Sequence, residues 1–66
     1  MDIGKSIRVA LAQKNIRRAD LAGKLGCVRS NVTKMCTTGK VRSETLKRLA
    51  DIFEMSVSDF IKLGED

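Results

Sequence analysis

Four side chains within six positions set the chemistry of this sequence. Arg29, Ser30, Asn31 and Lys34 can all donate hydrogen bonds, and none is acidic. Guanidinium and ammonium groups pair with phosphate oxygens, and one arginine can bond both acceptors on a guanine edge. Arg17, Arg18, Lys40 and Arg42 flank the four and supply positive charge suited to phosphate. The groups that catalysis uses are scarce by comparison. There is no histidine and no tyrosine, and the carboxylates fall mostly in the last third without paired spacing. The run Thr37-Thr38-Gly39-Lys40 lacks the strand and second glycine of a phosphate-binding loop. No enzymatic activity, cofactor or small-molecule ligand is therefore expected.

The four donors need an element that presents them together. Leu21, Ala22 and Leu25 recur at helical spacing before Gly26, and Val32, Met35 and Cys36 recur after it. Gly26 stands where a helix must stop and turn, at a backbone angle that glycine adopts without a Cβ penalty. The spacing predicts one helix over about Arg18 to Leu25 and a second from Val28 or Arg29 to Cys36. The second has its apolar stripe on one side and Arg29, Ser30, Asn31 and Lys34 on the other. Helix, tight glycine turn and second helix with a polar outer face make the helix-turn-helix pattern.

Three further helices are expected around this pair. The first runs from Asp2 or Ile3 to Lys14, capped by Asp2, buried through Ile3, Ile7, Ala10 and Leu11, and closed by Asn15. Ile16 then plugs the core. Residues 37–42 are expected as a loop. A fourth helix follows Ser43 as N-cap and ends near Phe53 or Glu54, with Leu46, Leu49, Ala50 and Phe53 inward. Ser56 and Asp59 form a capping box for a fifth that ends near Gly64. Val28 is a poor cap for the third helix, because its side chain accepts no hydrogen bond.

Charge divides along the chain. Residues 1–42 carry ten bases against two acids, +8, whereas residues 43–66 carry three against six, −3. The basic part contains the helix-turn-helix, and such asymmetry points to a polyanion on one face. Sixty-six residues fit one small domain, 1–66, which buries only ~60% of its unfolded surface and gains from oligomerising. Cys27 and Cys36 are the only cysteines. Without histidine or a C-x-x-C pair no metal site is expected, and about nine helical rises of 1.5 Å put the two thiols beyond disulfide reach. Reduced thiols, no signal-like segment and no long apolar run imply a cytoplasmic protein that does not enter membranes.

Five segments resemble, in order, the DNA-binding domains of the phage Cro and repressor (XRE-like) helix-turn-helix family. They are Gly4-Lys5-Ser6-Ile7-Arg8, Asp20-Leu21-Ala22-Gly23-Lys24-Leu25-Gly26, Arg29-Ser30-Asn31-Val32-Thr33-Lys34-Met35, Glu44-Thr45-Leu46-Lys47-Arg48-Leu49-Ala50 and Met55-Ser56-Val57-Ser58-Asp59-Phe60-Ile61. The resemblance implies an all-α, compact five-helix, lambda-repressor-like domain with a helix-turn-helix at about 18–36. It also implies that the third helix enters the DNA major groove, with Arg29, Ser30, Asn31 and Lys34 at the base-contacting positions. Two departures stand out. Arg18 replaces the family's usual phosphate-binding glutamine. Leu11 and Cys36 replace a common arginine–glutamate pair, an apolar swap that is often neutral or stabilising.

The function expected is a sequence-specific regulator of transcription, a Cro-like repressor bound as a homodimer to a pseudo-palindromic operator in double-stranded DNA. Arg17, Arg18, Lys40 and Arg42 are the expected phosphate contacts. Val57, Phe60, Ile61 and Leu63 exceed what a short fifth helix can hide; about two are expected in the core, and the remainder of the set forms the expected dimer interface. The expected setting is the cytoplasm of a bacterial or phage-infected host cell. A DNA-binding antitoxin and a restriction–modification control protein share this mechanism. A basic amphipathic protein on anionic membranes is the alternative from another class, disfavoured by the narrow apolar stripe of the third helix.

Overall fold

A computed structural model describes residues 2–65. Five helices follow in order: α1 (Ile3–Lys14), α2 (Arg18–Leu25), α3 (Arg29–Thr38), α4 (Ser43–Ile52) and α5 (Val57–Lys62). No strand occurs among the described residues, and the chain is all-α. α1 packs against both α3 and α5, while α2 lies on α3 and touches α4. The core is continuous and includes Ile7, Leu21, Val32, Leu49, Phe53 and Phe60, all fully shielded from solvent.

Local chemistry explains the boundaries. Asp2 caps α1, its carboxylate accepting from the Lys5 N–H at 3.0 Å. Asn15 ends that helix with φ 54, and the Ile16 N–H reaches back to the Leu11 carbonyl at 2.9 Å. Ile16 then packs half-buried against the core. α2 ends the same way: Gly26 takes φ 73, the Cys27 N–H bonds the Ala22 carbonyl at 3.0 Å, and the Gly26 N–H bonds the Gly23 carbonyl at 3.3 Å. These crossed bonds satisfy carbonyls the helix end leaves free and turn the chain sharply into α3.

Three expectations need correction. The third helix runs two residues past Cys36. The Thr37 and Thr38 hydroxyls donate to the Thr33 and Lys34 carbonyls at 2.9 and 2.8 Å, which holds both residues in the helix until Gly39 breaks it at φ 69. The loop is accordingly residues 39–42. Ser43 is the first residue of α4 rather than its cap; Arg42 occupies that place with extended backbone and no side-chain bond to the helix. α4 stops at Ile52, where Glu54 takes a left-handed φ of 57 and the Met55 N–H returns to the Ala50 carbonyl at 3.0 Å.

α5 is short and held from both sides. Ser56 accepts from the Asp59 N–H at 3.1 Å as its cap. Phe60 stacks on Phe53 with ring centroids 5.8 Å apart and planes 17° from parallel. The buried Ser6 hydroxyl lies 3.3 Å from both the Ile61 and the Asp2 carbonyls, and its single proton serves one of them at a time. Any Cβ at Gly64 would run into the Asp2 carbonyl, so the last turn lies directly on the start of α1.

Candidate nucleic-acid interface

The apolar stripe of α3 is Val32 and Cys36, both buried, with Met35 half-buried beside them. That stripe fixes the opposite face outward. Arg29, Ser30, Asn31 and Lys34 are all exposed, as are Arg17 and Arg18 at the start of α2 and Lys40 and Arg42 in the 39–42 connection.

Two open clefts run along α3 and share Lys34. One, of about 530 Å³, is lined by Arg29, Ser30, Thr33, Lys34, Thr37 and Thr38. The other, of about 480 Å³, lies towards α4; Asn31, Lys34, Lys40 and Arg48 line it over a floor that includes Leu25 and Met35. Arg29 and Ser30 thus line one cleft, Asn31 and Lys40 the other, and Lys34 joins the two. Arg17, Arg18 and Arg42 line neither cleft. Neither cleft has an acidic lining residue.

Sequence reasoning missed several residues of this surface. Thr33 and Thr37 follow Arg29 at intervals of four, so helical spacing alone places them on its face. Thr37 lies beyond the expected helix end at Cys36, whereas Thr33 lies within it and carries no charge to single it out. Arg48 was counted only as charge, although it reaches the cleft from α4.

The far end of α3 is fixed from behind by α1. Arg8 donates from Nη1 to the Cys36 carbonyl at 3.3 Å, placing a cation where the α3 dipole is negative. Gly4 lies against the same carbonyl so closely that a Cβ there would collide with it. Leu11 and Cys36 are both in the apolar cluster, and the cation at this junction comes from Arg8, one turn earlier. Burial pushes the Cys36 thiol above its ordinary pKa, an effect opposed by the nearby Arg18 and Arg8 charges. Cys36 is thus a neutral packing group. Both cysteines are free, with Cys27 half-buried in the turn before α3.

The profile of the Cro/C1-type HTH DNA-binding domain matches residues 6–66, almost the whole chain. The chain belongs to that family. No curated protein and no solved structure matches it. As a Cro/C1-type domain it is a DNA-binding regulator of transcription, and α2 and α3 are its helix-turn-helix. No helix among the described residues is long and apolar enough to cross a membrane.

The expected dimer surface of this Cro/C1-type domain needs one correction. Phe60 is fully buried against Phe53 and offers nothing to a second copy. The helix folds its largest side chain inward, onto the Phe53 ring that follows α4. Val57, Ile61 and Leu63 are half-buried at the edge of the same core.

Proposed function

We propose that α3 is the base-reading helix of a Cro-like repressor that binds a pseudo-palindromic operator as a homodimer. The observation that carries this reading is the solvent side of α3, where Arg29, Ser30, Asn31 and Lys34 are all exposed and line two clefts joined at Lys34, with no acid in either. Arg29 pairs with guanine O6 and N7, Lys34 reaches acceptors one turn along, and Ser30 and Asn31 serve neighbouring edges. Arg17, Arg18, Lys40 and Arg42 hold phosphates and set the register. Occupied DNA excludes polymerase, which suits a basic helix-turn-helix surface without an acidic patch. Val57, Ile61 and Leu63 supply the contact between two copies, so that two reading helices lie about 34 Å apart, one turn of duplex.

Selection of bound sites from random duplexes, followed by titration of variants, tests the assignment. Arg29→Ala should weaken the best site by about 1–3 kcal/mol and relax one base pair in each half-site. Arg18→Ala should weaken all duplexes alike. Uniform weakening by Arg29→Ala with an unchanged consensus would remove α3 as the reader. One chain per selected site, unaffected by Ile61→Lys, would remove the dimer.

A further inference from the structure

Among the described residues Val28 is the exposed large hydrophobic side chain, with 63% of its surface in water. Its position is unfavourable twice over. It is the N-cap of α3, with extended backbone (φ −86, ψ 155) and no side-chain bond to the helix. A serine, threonine or aspartate there would cap the first turn, whereas valine leaves N–H groups open and an isopropyl group in solvent. A residue that offends both local rules is expected where function selects it. It immediately precedes Arg29 and Ser30, at the end of α3 where those two exposed donors lie. The Asn31 N–H bonds the Val28 carbonyl at 3.0 Å, tying the residue to the first turn of that helix.

We propose that Val28 is a specificity-determining residue that packs on the C5-methyl group of a thymine in the major groove. The argument rests on α3 being the base-reading helix. Thymine presents the one apolar group in the major groove, and a β-branched aliphatic side chain beside two polar readers is its natural complement. Arg29 and Ser30 then identify bases by hydrogen bonds, and Val28 identifies the adjoining one by excluding water from its methyl group. Removal of that methyl exposes the isopropyl group to water again.

The test uses the full chain and the tightest duplex recovered by selection from a random pool. Each thymidine in one half-site is replaced in turn by deoxyuridine, which deletes the methyl and nothing else. The wild-type chain should lose about fourfold in affinity at one position, the transfer value of one methyl-sized group. Val28→Ser should bind the thymidine and deoxyuridine duplexes alike there, and its own selected consensus should lose the preference for thymine. The variant keeps its fold, because serine restores the missing cap, and its melting temperature should not fall. Equal deoxyuridine penalties in both chains, or none at any position, would overturn the inference. Arg29→Ala separates the two readings: an altered consensus with silent deoxyuridine sinks only the role of Val28, whereas an unchanged consensus sinks the reading helix as well.

Discussion

The contact of Gly4 with α3 permits a paired test in which the same substitution has opposite signs. Gly4 and Gly23 both lie inside helices. At Gly23 an added Cβ meets nothing within 4 Å, so Gly23→Ala only removes backbone entropy from the unfolded chain. It should stabilise by ~0.5–1 kcal/mol. At Gly4 the Cβ collides with the Cys36 carbonyl oxygen and sits 3.1 Å from its carbon and 3.3 Å from the Met35 carbonyl oxygen. Those atoms are backbone and cannot swing aside, so α1 and α3 must separate. Overpacking of this kind costs about 1–3 kcal/mol, which exceeds the helix-propensity gain of at most ~1. The net loss is up to about 2 kcal/mol, or as much as roughly 8–16 °C in melting temperature for a domain of this size. Circular dichroism melts of the two variants give both signs directly. DNA titration adds a second reading, since only Gly4→Ala displaces the end of α3 and should weaken binding. A Gly4→Ala chain that melts at or above the wild-type temperature would refute the close approach of α1 to α3.

Two further outcomes follow from charge and burial. With Arg18, Lys40 and Arg42 from each of two copies on phosphates, log K should fall with log[salt] with a slope of about −5 or steeper, from roughly six neutralised phosphates. A nearly flat dependence in fluorescence anisotropy titrations would dismiss that footprint. The raised thiol pKa of Cys36 means that the folded chain holds this proton more tightly than the unfolded one. Its stabilisation is present below the ordinary thiol range, about pH 8.5, and is lost as pH rises through the folded value. Urea midpoints from pH 7 to 10 should therefore fall more for wild type than for Cys36→Val, in a chain without tyrosine to titrate alongside. Parallel curves would show that burial does not protect the thiol.

The helices were legible because each carries a strong local signal. Asp2 and Ser56 offer acceptors to the first turn, Gly26 offers a left-handed backbone, and apolar residues repeat at three and four. The candidate face was legible for the same reason, since the stripe of Val32 and Cys36 turns Ser30 and Lys34 outward, while Arg29 is exposed as the first residue of α3. What escaped was set by contacts distant in sequence or by backbone bonding. Thr-Thr-Gly has turn composition, yet two hydroxyls bonding four residues back keep Thr37 and Thr38 helical. Phe60 looks surplus in a six-residue helix until Phe53 supplies its partner. Arg8 meets the Cys36 carbonyl across 28 residues, which no local pattern announces.

The Ser6 hydroxyl within reach of Ile61, and Gly64 against the Asp2 carbonyl, have a consequence for synthesis on the ribosome. The helix α3 emerges early, but the packing of α1, which holds it from behind, is finished only when residues 60–64 arrive. Closing a chain segment of 55 residues carries an entropic cost of about 3–4 kcal/mol, met by Phe60 and its neighbours together. A nascent chain ending before them leaves Phe53 without its stacking partner and α1 without its second neighbour. The packing of α1 is thus completed only by residues 60–64, made long after it.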